Sequence, residues 1–261
     1  MFQTIGLEVD GVIARIEFRR PEHHNAFNAD QHREFAEALH KVREMDGLRV
    51  LILQAQGKVF LGGGDFDYLR QLRDDPAVRR ASQREGTDIF NLLNDLPIPI
   101  IAAVHGNALG FGATIITSCD IVVAWKDAKL GDPHVKAGIV AGDGGVLSWA
   151  AACGATRAKR MLLTGDMITM QQAFDWGLVT DLVDTPEEAR PAAEALAARI
   201  AALPPMAVQG TKKVFNALET QRNGHTLDMS ILTELQTLMS DDLEEALQAA
   251  IEKRPGKYRN R

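Results

Sequence analysis

His134 and Asp143 are the side chains best placed by type and spacing to move protons. His134 stands in Asp132-Pro133-His134-Val135, and Asp143 follows nine residues later in Gly138-Ile139-Val140-Ala141-Gly142-Asp143-Gly144-Gly145. An imidazole titrates near neutrality, and a carboxylate on its other nitrogen fixes the tautomer and stabilises the charged form. The spacing predicts His134 as base and Asp143 as its orienter. Two structural readings compete with this: a satisfied loop histidine, and an Asp143 that caps the helix running to Trp149. The remaining histidines, His23, His24, His32, His40, His105 and His225, fall in polar loops or on helix faces and read as surface or packing residues. No two histidines stand at a metal spacing with carboxylate or cysteine, so no metal is expected.

Glycine-rich turns, each following a strand-like run, supply a second kind of chemistry. Gly57-Lys58-Val59-Phe60-Leu61-Gly62-Gly63-Gly64-Asp65-Phe66 lacks Cβ atoms at three successive positions, which lets backbone N–H groups approach a ligand. His105-Gly106-Asn107-Ala108-Leu109-Gly110-Phe111-Gly112-Ala113-Thr114 runs directly into a helix, so free N–H groups and the positive end of the helix meet there. Such a turn suits a developing negative charge. It lacks the Lys-Ser/Thr ending of a phosphate-gripping loop, and no acidic residue follows a second strand at the distance a dinucleotide site requires.

The elements that must position these groups follow from periodicity. Residues 2–9 and 12–18 read as a hairpin around Asp10-Gly11, and Asn28 or Asp30 can cap a helix carrying Phe35, Leu39 and Val42. Strands are expected at 50–53, 98–104, 121–124 and 178–183, with helices at 112–118, through Trp149 and through Met161. The strand runs are continuously apolar, which predicts parallel pairing buried on both faces. From Pro186 onward the chain is helix-compatible over 187–202, 206–220 and 226–252. Ile231, Leu232, Leu235, Leu238 and Met239 form a stripe there that needs a partner. The expectation is a spiral α/β core over 1–195 and a helical oligomerisation region over 196–261.

Bulk properties exclude several classes. The chain has 261 residues, 46% hydrophobic and 25% charged, the balance of a globular protein with a sizeable core. Its net charge of −6 is made of interleaved signs, so no broad basic face is offered to nucleic acid. The exception is the end, where five basic residues from Lys253 to Arg261 flank Tyr258: a solvated terminus, or a local site for a polyanion such as a nucleotide phosphate. Cys119 and Cys153 are the only cysteines and stand in apolar stretches, which fits a reducing compartment. No membrane span or export signal is recognisable, and a cytoplasmic location is expected.

Several motifs then occur together and in order. They are Arg20-Pro21 with Asn25-Ala26, Phe60-x-x-Gly63-Gly64-Asp65, the second glycine turn with Cys119-Asp120-Ile121, Pro133 to Gly138 with Gly144-Gly145, and Leu163-Thr164-Gly165 with Ala173-x-x-x-Gly177-Leu178-Val179. Over about residues 8–185 this series resembles the crotonase superfamily of enoyl-CoA hydratases and isomerases. The resemblance implies a crotonase-like spiral of strand-strand-helix turns, assembled as a homotrimer or a dimer of trimers through the C-terminal helices. It implies a substrate acyl-CoA whose thioester oxygen lies between the backbone N–H groups of Gly64 and Phe111, with coenzyme A entering as part of the substrate and no tightly bound cofactor. By position, Ala26, Gly63, Asp65 and Phe66 lie near the coenzyme, and Lys253 and Tyr258 help hold its phosphates. The two glutamates that hydratases of this family use fall at Thr114 and His134. The His134–Asp143 spacing with its flanking glycines looks like a branch that includes a hydrolase of cyclic β-diketones, where a histidine activates water. Three readings therefore stand: chemistry through an acyl-CoA enolate, β-diketone hydrolysis by a His-Asp dyad, and a catalytically silent binding or assembly homologue.

Overall fold

The computed structural model describes residues 2–259, apart from the side chains of Arg222 and Asn223. The Asp10-Gly11 turn reverses the chain between β1 (Ile5–Asp10) and β2 (Ile13–Phe18), which pair antiparallel with Gly11 at φ +60°. Asn28, not Asp30, caps α1 (Ala29–Glu44), accepting from the Gln31 N–H at 2.9 Å. There follow β3 (Val50–Ala55), α2 (Phe66–Asp74), α3 (Pro76–Asp95), β4 (Ile100–Val104), the two-residue β5 (Ala108–Leu109), α4 (Phe111–Thr117), β6 (Ile121–Trp125) and β7 (Lys129–Gly131). Beyond a 3-10 turn at His134–Ala137 come α5 (Gly145–Cys153), α6 (Ala155–Thr164), β8 (Met167–Thr169), α7 (Met170–Asp175), β9 (Asp181–Val183), α8 (Ala189–Ala201), α9 (Pro205–Leu238) and α10 (Asp241–Glu252).

The main sheet has the order β1-β2-β3-β4-β6-β9 and is parallel from β2 onward; a smaller sheet runs β5-β7-β8. Alternation along the strands divides the interior in two. Leu51, Leu53, Ile100 and Ala102 face the larger core with Phe35, Leu39 and Ile89. Val50, Ile52, Ile101 and Val123 face Ala193, Ala197 and Ala201 of α8, whose small residues four apart let the helix lie close on the sheet. The parallel, doubly covered sheet is the one that the apolar runs predict.

Differences from the sequence reading have local causes. Strands of two or three residues carry too little periodicity to be recognised, so β5, β7 and β8 are additions, and β9 is only the end of the expected 178–183 run. The expected helix 226–252 is broken at Ser240, whose hydroxyl caps α10. Helix α9 itself leaves helical geometry at Gly224 (φ 15°, ψ −125°). The 195/196 boundary falls inside α8, which packs on the main sheet. Of the apolar stripe, Ile231 and Leu238 are buried and Leu235 partly buried against the same chain, while Leu232 and Met239 stay exposed. Among the described residues no helix is long and apolar enough to cross a membrane.

Candidate active site

The first glycine turn is held by the Arg20–Asn25 segment. Asn25, at φ +52°, accepts from the Arg20 N–H and donates from Nδ2 to the Gln56 and Val59 carbonyls at 2.8 and 2.9 Å. Phe27 then brackets Gly64: its N–H donates to the Gly63 carbonyl at 2.7 Å and its carbonyl accepts from the Asp65 N–H at 2.9 Å. The Gly64 N–H between them has no acceptor among the described residues. The second turn is joined to the first by the Leu109 N–H, which donates to Leu61 O at 2.9 Å, and by a Leu61–Ala108 bridge. At Gly110 the backbone turns with φ +54°, and Phe111 begins α4 with its N–H likewise lacking an acceptor. The turns touch: a Cβ on Gly63 would lie 3.1 Å from Leu109 O, and one on Gly110 would lie 3.5 Å from Gly63 Cα and 3.7 Å from His134 Cε1. Positive φ favours glycine at both positions, and at Gly63 the close Leu109 carbonyl adds to it.

These groups share one cleft of about 170 Å³, lined by Gly63, Gly64, Phe66, Phe111, His134 and Asp143. Four of the expected residues do not line this cleft. Ala26 stands behind Gly62, its Cβ 3.7 Å from where a Cβ on that glycine would be. Asp65 caps α2 through the Asp67 N–H and lies 3.5 Å from Arg20, so it shapes the turn and does not line the cleft. Lys253 ends α10 in left-handed geometry and Tyr258 lies over Gly256; neither lines the cleft of this chain. The tail instead runs back along α10, where Arg254 pairs with Glu245 at 2.6 Å and with Glu252, so that guanidinium is already neutralised. Arg261 lies outside the described residues.

The histidine is held differently from the expectation. Asp132, wholly buried after β7, accepts from His134 Nδ1 and from the His134 N–H, the latter at 3.2 Å. Asp132 is therefore a carboxylate hydrogen-bonded to the ring, where the sequence reading placed Asp143. Asp143 faces the other ring nitrogen, its Oδ2 3.4 Å from Nε2. Its Oδ1 accepts from the Thr114 hydroxyl at 2.9 Å and from the Gly145 N–H at 3.1 Å, so it also ties down the start of α5. Gly145 permits this crowding, since a Cβ there would lie 2.7 Å from Asp132 Oδ2 and 3.0 Å from Thr114 Oγ1. The Oδ2 atoms of Asp132 and Asp143 are buried without a hydrogen bond among the described residues.

Two cleft residues were not expected. Glu234 on α9 lines the cleft beside Ile231, Leu235 and Leu238. The signal was present, because 231, 234, 235 and 238 share one helix face, and a glutamate within an apolar stripe is the irregular member. His32, expected as a surface or packing residue, is buried in the cleft wall 5.4 Å from the Phe111 ring, with Nδ1 2.9 Å from Glu85.

The electrostatics follow from crowding carboxylates around one imidazole. Burial opposes charge on His134, but Asp132 and Asp143 outweigh it and hold the imidazolium, whose pKa is pushed up to about 10. Burial raises the Asp143 pKa against the opposing pull of His134. Burial and the Asp143 charge push Glu234 up to about 8. Near neutrality the cluster thus holds a cationic His134 and a protonated Glu234. Asp132, His134 and Asp143 also offer ligand atoms within 4.8 Å of one another, a set able to hold a metal ion, which the sequence reading did not anticipate.

A family model described as enoyl-CoA hydratase/isomerase matches residues 8–261. The chain is 32% identical to the crotonyl-CoA hydratase of Syntrophomonas wolfei over 98% of both chains. It is 30% identical to the 1,2-epoxyphenylacetyl-CoA isomerase of Escherichia coli over 99% of both. The crystal structure of an enoyl-CoA hydratase/isomerase from Mycobacterium paratuberculosis superposes with a TM-score of 0.90 at 33% identity, covering 94% of this chain and 97% of that one.

Proposed function

The chain belongs to the enoyl-CoA hydratase/isomerase family of the crotonase superfamily, and on that premise we propose that it stabilises the enolate of an acyl-CoA thioester between the N–H groups of Gly64 and Phe111. The observation that carries this reading is that both amides lack an acceptor, line one cleft with His134, and sit where two glycine turns touch. A donor aimed at the oxygen that gains charge favours the transition state over the carbonyl ground state. The base is the His134–Asp143 pair. Asp143 Oδ2, free of hydrogen bonds, takes the proton from the carbon beside the thioester carbonyl, and the His134 imidazolium steadies the charge around it. Glu234, protonated near neutrality, returns a proton to the substrate carbon skeleton. The exposed Met206, Val214, Phe215 and Leu218 of α9 offer an apolar surface for self-association, as a homotrimer or dimer of trimers.

The test is exchange of the α-proton of butyryl-CoA with deuterium oxide, followed by NMR. Exchange by the wild type that disappears in Asp143→Asn supports the reading, and no exchange with any acyl-CoA overturns it. A second reading rests on the same histidine held by carboxylates: cleavage of a β-diketone C–C bond by activated water. It predicts turnover of a cyclic β-diketone without thioester binding.

A further inference from the structure

Most of the cleft wall is apolar, built from Leu69, Leu72, Ile139, Leu235 and Leu238, but one strip is polar. Arg79, Ser82, Gln83, Gly86 and Thr87 of α3 all line the cleft. Their spacing is i, i+3, i+4, i+7 and i+8, a single helix face. A polar face turned into a cleft needs a reason, because burying it against aliphatic chains alone costs free energy.

The strip has a near and a far end. Gly86 is the near end: a Cβ there would lie 3.6 Å from His32 Cε1, and the His32 ring adjoins that of Phe111. Arg79 is seven residues earlier, roughly 10 Å along the helix axis. Its Nη1 donates to the Leu72 and Arg73 carbonyls at 2.6 and 2.7 Å, at the end of α2. Those bonds fix the guanidinium without neutralising it, and its other N–H groups have no acceptor among the described residues. Neighbouring arginines differ: Arg70 pairs with Glu244 at 3.1 Å and Arg73 with Asp241 at 3.5 Å.

We propose that Arg79 is a specificity-determining residue that receives a carboxylate at the far end of the acyl chain, making dicarboxylic acyl-CoA thioesters the preferred substrate class. The inference rests on the acyl-CoA reading above. The chain would enter with its thioester oxygen at Gly64 and Phe111, pass along the strip, and end in a charge-assisted hydrogen bond to the pre-fixed guanidinium, with Ser82 and Gln83 beside it.

The experiment is calorimetric binding of matched pairs, suberyl-CoA against octanoyl-CoA and sebacyl-CoA against decanoyl-CoA, to the protein. The expected result is a preference for the dicarboxylic member of at least one pair of about tenfold or more. Arg79→Gln should erase the preference while leaving the monocarboxylic thioesters within about threefold, and Arg79→Lys should retain part of it. Thermal melts show whether the variants fold, and the wild-type preference is decisive without them. Absence of preference in the wild type, or a preference that survives in folded Arg79→Gln, overturns the inference while thioester binding still supports the acyl-CoA reading. If none of the four thioesters binds, that reading falls and this one with it.

Discussion

Glu234 on α9 is packed so tightly against Gly142 that a Cβ on the glycine would lie 2.4 Å from the Glu234 Cβ and 2.9 Å from its Oε2. A glutamate far along the chain is thereby fixed beside the neighbour of Asp143, close enough for the Asp143 carboxylate to add to the burial that raises the Glu234 pKa.

This contact makes pH the first test. If Glu234 must be protonated to return a proton, kcat/KM falls as pH rises through about 8. Glu234→Gln should lose that alkaline limb and be slower at neutral pH by about tenfold or more. Stability follows the same group. Its folded pKa lies above the usual carboxylate value, so the folded state holds an extra proton between about 4.5 and 8, and stability declines with rising pH across that window. Thermal melts should show the Tm of Glu234→Gln gaining on the wild type between pH 5 and pH 8.5.

Substitutions in the His134–Asp143 pair should separate chemistry from folding. Asp143→Asn and His134→Ala are each expected to lower kcat by about 100-fold or more with the chain still folded by circular dichroism. His134 has a raised pKa, so its stabilising charge is fully present below about 6.5 and disappears as pH rises toward about 10. The Tm deficit of His134→Ala is therefore largest at low pH and shrinks on the alkaline side.

The Phe111 amide can be deleted with a control. Proline is tolerated at the first residue of a helix, which is where Phe111 stands, but it has no N–H. Phe111→Ala keeps the donor and removes the ring; Phe111→Pro removes both. Proline should reduce kcat about 100-fold to 1,000-fold below alanine at similar Tm, and equal rates would discount the amide as an enolate donor.

Lys212 provides a prediction about stability alone. Its ammonium, almost fully buried, donates to Asp120 at 2.6 Å and to the Ile98 carbonyl at 2.8 Å, binding α9 to the segments that lead into β4 and β6. Lys212→Met leaves the Ile98 carbonyl without its donor and removes one of two partners of the solvent-accessible Asp120, and should cost about 1 to 2 kcal/mol in denaturant unfolding.

What could be read in the sequence depended on how local the cause is. Asn28, the Asp10-Gly11 turn and the glycine corners act within a few residues, and the structure has them where pattern and turn chemistry lead. The His134–Asp143 proximity was legible from spacing, but its division of labour was not: Asp132 beside Pro133 looks like an ordinary loop residue until β7 buries it. Periodicity marks Glu234 as the odd member of an apolar helix face, but that it and His32 line the cleft follows from contacts spanning much of the chain. Asp120, read as part of a family motif, turns out to accept from the Ile100 N–H at 2.7 Å and from Lys212, a structural tie.

The departure of α9 from helical geometry at Gly224 separates two halves that do unlike things, the first anchored by Lys212 and the second reaching over the cleft with Ile231, Glu234, Leu235 and Leu238. The later half therefore carries both the proposed proton donor, Glu234, and part of the apolar cleft wall, so a change in how that half is set against the core would alter at once which molecules are let in and how they are transformed.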